Sequence, residues 1–341
     1  METTHRVYAG DARSMTALDD SSVALVVTSP PYPMIEMWDD VFRDLSPAVA
    51  RALDGGDGDA AFEAMHAVLD DVWAEVERVL EPGGVACVNV GDATRTLEDS
   101  FRVYRNHARV GDAFEALGLT PLPEVLWRKP TNSAAKFMGS GTLPPNAYAT
   151  LEHEHILVFR NGDEPRSFEP GAKRRYGAAY FWEERNEWFS DTWEITGERQ
   201  TLGDDGARER SAAYPFEIPY RLVNMYSVYG DTVLDPFAGT GTTSLAAMTA
   251  ARDSVGYELD ADLIAAFDER TDALPEAAES VLDERLAAHR AFLDERDAEP
   301  EYEAEHYDFG VVTGRTTEIQ FYDVAEVEGA DGGYVVEHER R

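Results

Sequence analysis

Lysine is almost missing from this chain of 341 residues. Of its 30 basic side chains only Lys129, Lys136 and Lys173 are lysines, and 66 acids bring the formal net charge to −36. Such a balance on a chain that is 43% hydrophobic suggests a globular protein working in concentrated salt. There self-repulsion is screened and solubility is the harder requirement. An acidic protein from ordinary surroundings is the plainer alternative. Taken alone, the charge argues against a nucleic-acid partner, so any such partner needs local support. Cysteine is scarcer still: a single one, Cys87, excludes an internal disulfide and fits a reducing interior. No run approaches about 18 apolar residues, so no membrane span is expected. The opening METTHRVYAGDARS lacks the apolar centre of a signal peptide. A soluble, cytoplasmic protein is expected, and no internal repeat is visible.

What is present is an alternation of short β-branched runs with helical patterns, the mark of an α/β fold with a mostly parallel sheet. The strands are read at 6–10, 23–27, 85–90, 124–128, 155–160, 232–235 and 254–258. Residues 61–80 and 216–230 have helical spacing, and LDGGDGDA (53–60) reads as a surface loop. Residues 131–204, rich in Gly, Pro, aromatics and basic groups, read as an insertion. Residues 262–309 read as acidic helix, followed by strand-like pieces in the tail. The aromatic run 180–194 reads as core under the insertion rather than as a stacking surface.

Two stretches carry chemistry. In TSPPY (28–32), two prolines fix φ near −65° and donate no backbone hydrogen bonds. A turn would not need so rigid a device. It suits a loop that must hold acceptor oxygens and one aromatic ring ready for a ligand. In TVLDPFAGTGTTSLAAM (232–248) a strand, a glycine-bearing turn and a helix follow one another. Gly239 and Gly241 permit positive φ and close backbone approach, and the helix start offers N–H groups. No lysine precedes Thr242, so this is not a Walker loop. Glu258 ends the next strand 19 residues beyond Gly239, where an acid can accept hydrogen bonds from ribose hydroxyls.

Taken together, SPPY (29–32) and DPFAGTGT (235–242) resemble the amino-methylating DNA methyltransferases, in which a [DNS]PP[YF] loop holds the target amine and DPFxGxGT the cofactor. The catalytic loop comes first, which resembles the permuted β class. AGDA (9–12), RVLEPGGVACVNVGD (78–92), LWRKP (126–130), EHILVFR (154–160), DTWEI (191–195) and YPFEIPYRLVNMYSVYGD (214–231) resemble the family's other segments in order.

The resemblance implies a Rossmann-like methyltransferase fold with a circularly permuted sheet, S-adenosylmethionine as cofactor and double-stranded DNA as substrate. It divides the chain into a catalytic half (1–130), an inserted target-recognition region (131–204), a cofactor half (205–265) and an acidic extension with a tail (266–341). Ser29, Pro30, Pro31 and Tyr32 would be catalytic. Ser29 Oγ and the Pro30 carbonyl would accept from the amine, and Tyr32 would stack on a flipped base. Asp11, Thr28, Asp235, Pro236, Phe237, Gly239, Gly241, Thr242 and Glu258 would hold the cofactor. In this family serine at the first loop position accompanies cytosine N4, and Asp or Asn accompanies adenine N6. The high-salt composition and the overall resemblance together look like the haloarchaeal methylases that modify CTAG, a target held as a guess. Adenine N6, or a DNA-binding regulator that has lost catalysis, are the alternatives. A homodimer and a cognate restriction nuclease stay open as partners.

From Trp127 to Tyr176 eight basic residues face five acids, a local charge of +3 that includes every lysine. Arg128, Lys129, Lys136, Lys173, Arg174 and Arg175 would position DNA through its phosphates, or KRR (173–175) is an ordinary solvated run. Asn132, Ser133 and Asn146 would read base edges, by location alone. His153 and His155 share a strand face with ligand-like spacing. No Cys or third ligand stands nearby in sequence, so no metal is expected. Cys87, inside an apolar strand, reads as core.

Overall fold

The computed structural model describes residues 1–98, 100–129, 138–139, 142–196, 214–330 and 332–341. The first half runs β1 (Glu2–Ala9), β2 (Val23–Thr28), α1 (Asp39–Leu45), α2 (Pro47–Asp54), α3 (Gly58–Val79) and β3 (Leu80–Val90). A hairpin, β4 (Ala93–Leu97) and β5 (Ser100–Tyr104), leads to α4 (Asn106–Ala116) and β6 (Leu119–Arg128). A two-residue pair, β7 (Met138–Gly139) and β8 (Ala147–Tyr148), precedes β9 (His153–Asn161), α5 (Lys173–Gly177), α6 (Trp182–Trp188) and β10 (Thr192–Glu194). Then come α7 (Glu217–Tyr226), β11 (Thr232–Asp235), α8 (Thr242–Thr249), β12 (Asp253–Glu258), α9 (Ala261–Thr271) and α10 (Leu274–Asp294). The chain closes with the short pair β13 (Tyr302–Glu303) and β14 (Gly310–Val311), then β15 (Tyr322–Ala330) and β16 (Gly333–Arg340).

Ten of these strands form one sheet in the order β10-β6-β9-β3-β2-β11-β12-β1-β16-β15. Among the described residues five of its nine pairings are parallel, including the continuous run from β3 to β1. Every residue of β2 is buried, as expected of a strand covered on both faces. Along β3 the side chains alternate. Ala86, Val88 and Val90 join Trp73 of α3 and Phe114 of α4 in one core. Val85 and Cys87 join Ile218 and Leu222 of α7 and Ala246 of α8 in the other. Cys87 is therefore core, and burial pushes its thiol well up.

Four expectations need correction. β9 and β10 fall inside 131–204, yet β9 is hydrogen-bonded between β3 and β6, and β10 pairs with β6. That range does not stand apart from the sheet. The residues 266–341 are likewise no appendage: β16 pairs with β1, and the Met1 ammonium donates to the His338 carbonyl at 2.8 Å. The helical segment stops at Asp294 rather than 309. The loop at 53–60 shrinks to 55–57, because Asp57 caps α3 by accepting from the Ala60 N–H at 3.0 Å. The run 180–194 is core only in part: Phe181, Trp188 and Trp193 are buried, Tyr180 is half-buried, and Trp182 and Phe189 are exposed.

Candidate active site

A cavity of about 390 Å³ opens at the carboxyl ends of the parallel strands, where ligands of open α/β sheets bind. One wall is apolar, from Ile35, Trp38, Val41 and Phe42 to Leu69 and Val72 of α3. The other is formed by the loops after β1, β2, β11 and β12.

Asp235, at the end of β11, is almost fully buried and organises that second wall. Its carboxylate accepts from Thr28 Oγ1 at 2.6 Å, Thr243 Oγ1 at 2.7 Å, the Phe237 N–H at 3.0 Å and the Tyr214 hydroxyl at 3.4 Å. Burial nevertheless raises its pKa to about 6, against the pull of these donors. Thr28 is hidden behind Asp235 and positions it without lining the cavity. Gly239 and Gly241 both take positive φ, at 54° and 74°. A Cβ on Gly239 would meet nothing closer than 4.0 Å, whereas one on Gly241 would strike the Phe267 ring at 2.1 Å. Gly239 therefore keeps room at the cavity, and Gly241 keeps room for packing against α9. Glu258 accepts from the N–H groups of Gly239, Leu259 and Asp260 at 2.8, 2.9 and 2.9 Å. Three of the roughly four acceptor positions of a carboxylate are thus used, leaving about one for a ribose hydroxyl rather than two. Asp11 also lines the cavity, and the Arg13 guanidinium that it pairs with lowers its pKa.

The SPPY loop forms the floor. Tyr32 donates its hydroxyl proton to Glu154 Oε2 at 2.9 Å, and Asn89 Nδ2 donates to the same oxygen at 2.7 Å. Asn89 Nδ2 also lies 2.8 Å from the Tyr32 hydroxyl oxygen and 3.4 Å from Ser29 Oγ, and Lys129 is ion-paired with Glu154 Oε1. With Tyr32's only proton committed to the carboxylate, the 3.0 Å contact between Ser29 and Tyr32 must be donated by Ser29. The proton order leaves Ser29 Oγ an acceptor at the cavity wall, partly engaged by the long Asn89 contact. Burial, then the neighbouring Glu154, raises the Tyr32 pKa well above the usual phenol value, so the proton stays. Behind the loop, Asn106 Nδ2 donates to the carbonyls of Pro33 at 3.0 Å and Gly91 at 2.9 Å. Met34 follows at φ 68°, a conformation that costs a non-glycine residue about 1 kcal/mol.

The family model described as DNA methylase matches residues 23–269. The chain belongs to that DNA methylase family. It is 48% identical over 326 residues to the type II methyltransferase M.MthZI of Methanothermobacter thermautotrophicus, spanning 94% of this chain and 91% of that protein. It is 48% identical over 279 residues to the type II methyltransferase M.MjaI of Methanocaldococcus jannaschii, covering 79% and 91%. Among solved structures, TTHA0409 of Thermus thermophilus in complex with S-adenosyl-L-methionine aligns at 32% identity and TM-score 0.61, over 79% of this chain and 94% of that one. The cytosine-N4-specific PvuII DNA methyltransferase shares the fold at 16% identity and TM-score 0.53, covering 82% and 93%. The fold is thus that of the S-adenosylmethionine-dependent DNA methyltransferases, and the family takes its methyl group from that cofactor.

Of the methylase's expected site residues, Ser29, Pro30, Pro31, Tyr32, Asp11, Asp235, Pro236, Phe237, Gly239, Thr242 and Glu258 surround the cavity, with Thr28 and Gly241 just behind it. The basic patch does not hold together. Lys129 turns into the cavity to pair with Glu154, and Arg128 is exposed beside it, paired with Glu194 at 2.9 Å. Lys173, Arg174 and Arg175 sit in α5, with Arg174 3.7 Å from Asp231 at the start of β11. That is the opposite end of the sheet from Asp235, so these three do not share a surface with the cavity mouth. Lys136, Asn132 and Ser133 lie outside the described residues, and Asn146 is exposed.

Asn89, Glu154 and Tyr214 were not foreseen as site residues. The signal for the first two was alternation. Asn89 continues the inward row Val85–Cys87, and Glu154 begins the row Ile156–Val158 on the neighbouring strand. Each is a polar residue on a face that is otherwise buried core, which asks for a partner.

Proposed function

We propose that the methylase transfers a methyl group from S-adenosylmethionine to the exocyclic N4 of a cytosine in double-stranded DNA, and that CTAG is the sequence to try first. Amine methylation rests on the proton order at Ser29, and the choice of cytosine N4 on serine standing first in the SPPY loop, as in the cytosine-N4 enzymes that the loop resembles. A neutral hydroxyl at the cavity wall, its own proton given to Tyr32, keeps acceptor capacity for an amine N–H.

The cavity fits the cofactor. It has room beside Gly239, where a side chain would intrude, an acid at Glu258 for a ribose hydroxyl, and a volume in the range of small-molecule sites. When bound there, S-adenosylmethionine supplies an electrophilic methyl group on a sulfonium. The target amine is a poor nucleophile because its lone pair is delocalised into the ring. Ser29 Oγ and the Pro30 carbonyl, accepting its two N–H bonds, draw it toward tetrahedral geometry and free that lone pair. The two prolines hold both acceptors in place before the base arrives, so little reorganisation is needed at the moment of transfer. The amine becomes acidic only after methylation, and its surplus proton can pass to solvent without a strong base. The acceptors lie at the floor of a cavity, out of reach of a stacked base, so the target has to leave the duplex. Tyr32, fixed at its hydroxyl, offers its ring as the stacking surface. Carbon-5 chemistry needs a thiolate nucleophile, and Cys87 is buried with its pKa pushed up.

The test is methyl transfer in molar salt, using labelled cofactor and paired duplexes that differ only in whether CTAG is intact or scrambled. Label confined to the intact duplex supports the target. Equal label in both overturns CTAG, and no label in any duplex overturns DNA methylation itself.

A further inference from the structure

Neighbouring residues on a strand point to opposite faces. While Glu154 faces the cavity, His155 faces α4 on the other side of the sheet. There its ring stacks on His107, with centroids 4.0 Å apart and planes 11° from parallel. His107 Nδ1 lies 2.8 and 2.9 Å from the two oxygens of Asp92, which also accepts the His107 N–H at 3.2 Å. One donor atom from each of Asp92, His107 and His155 falls within 4.8 Å of the others. His155 Nδ1 is shielded from solvent without a hydrogen-bond partner, and Glu124 Oε2 of β6 stands 3.6 Å away. His153, the other member of the sequence pair, is exposed and outside this cluster. The two ligands missing from the local sequence, Asp92 and His107, are brought to His155 by the fold.

We propose that Asp92, His107 and His155 form a binding site for one divalent transition cation of the Zn²⁺ class, with Glu124 placed to complete the shell. Two imidazoles and a carboxylate are the donor set such cations select, whereas Mg²⁺ and Ca²⁺ favour oxygen ligands. Metal–ligand bonds of about 2.0–2.2 Å require the donors to close in, and because the stacked rings hold their lone pairs in parallel planes, one imidazole has to swing out of the stack to face the cation. Entry of the cation displaces the proton now shared by His107 Nδ1 and Asp92, and it leaves to solvent.

The site's place in the fold gives it a use. Each ligand is the chain neighbour of a residue that braces the SPPY loop. Gly91 precedes Asp92 and packs so closely on Tyr32 that a Cβ there would lie 3.0 Å from the ring. Asn106 precedes His107 and holds the carbonyls of Pro33 and Gly91. Glu154 precedes His155 and orders Tyr32. A cation would tie these three segments together from behind.

The experiment uses the untagged full chain, stripped by a chelator and titrated with Zn²⁺ in a calorimeter and with Co²⁺ by visible absorption. One equivalent should bind, raise the melting temperature and give the Co²⁺ bands of a low-symmetry nitrogen and oxygen site. His107→Ala and Asp92→Asn should each weaken binding by at least about tenfold and abolish the thermal shift, while exposed His306→Ala changes neither. Absence of saturable one-to-one binding, or binding undiminished in His107→Ala, would overturn the proposal. Both readouts are independent of methyl transfer.

Discussion

At the scale of the residue, catalysis turns on where one proton points. Ser29 is useful because Tyr32 cannot donate back to it, and Tyr32 cannot because Glu154 has taken its proton. Ser29→Ala should therefore lower kcat by about 10²–10³, the effect of removing one preorganised transition-state hydrogen bond, while cofactor affinity measured by calorimetry stays unchanged. Glu154→Gln is the sharper variant. An amide at that position can donate to Tyr32 and reverse the chain, leaving Ser29 to spend a lone pair on Tyr32. The loss expected for a hydrogen bond to a charged group is about 1.5–3 kcal/mol, so single-turnover rates should fall about 10- to 100-fold. An unchanged rate would mean that the proton order has no part in catalysis. Ser29 and Tyr32 could be read from the sequence because SPPY is a contiguous motif. Glu154 could not, because it meets Tyr32, Asn89 and Lys129 only once separate segments are folded together. For the same reason Lys129, counted among phosphate contacts by local charge, turned out to belong to the site.

Glycines show how much an element can hide behind its motif. Gly239 and Gly241 stand two residues apart in one turn, and composition treats them alike. The structure separates them: open space beyond one and the Phe267 ring against the other. Gly241→Ala should destabilise the fold by at least about 2 kcal/mol, through positive φ and overpacking together, read as a lower urea midpoint. Gly239→Ala should cost only about 1 kcal/mol of stability but weaken S-adenosylmethionine binding, because its methyl group enters the cavity. Equal effects of the two on cofactor affinity would contradict the division. The strands themselves were legible from β-branched runs, and the α8 turn from its strand–glycine–helix context. Element ends were less so: β1 begins at Glu2 and β3 at Leu80, earlier than apolar content alone suggests. The role of β9 was hidden by its setting, an apolar strand within a Gly-, Pro- and Arg-rich stretch that reads as an insertion.

For the whole molecule, charge and burial predict the response to acid. His5, His66 and His338 are buried in neutral form, with burial lowering their pKa values to about 3, 4 and 4, helped by His338 for His5 and by the N-terminal ammonium for His338. Released on unfolding they regain a value near 6.5. The unfolded chain then binds more protons between pH 6.5 and 4, and stability falls as pH drops through that window. Asp235 works in the opposite sense, because its raised pKa stabilises the fold as pH falls from about 6. Three groups outweigh one, so the urea midpoint should drop between pH 7 and 5, before most carboxylates titrate. A flat profile would mean that these histidines are charged inside the fold.

Net charge was legible from composition and pointed away from DNA, while the motifs pointed toward it. Membership of the DNA methylase family decides between them. What composition could not show is that Lys173, Arg174 and Arg175 lie at the far end of the sheet from the cavity.

The most direct measurement of the central claim is the identity of the methylated nucleoside. Duplex DNA methylated with labelled cofactor in molar salt is digested to nucleosides and the label located by chromatography. The predicted result is label in N4-methylcytidine, in its deoxy form, lost in Ser29→Ala. Label in N6-methyladenine would contradict the assignment of Ser29 to cytosine.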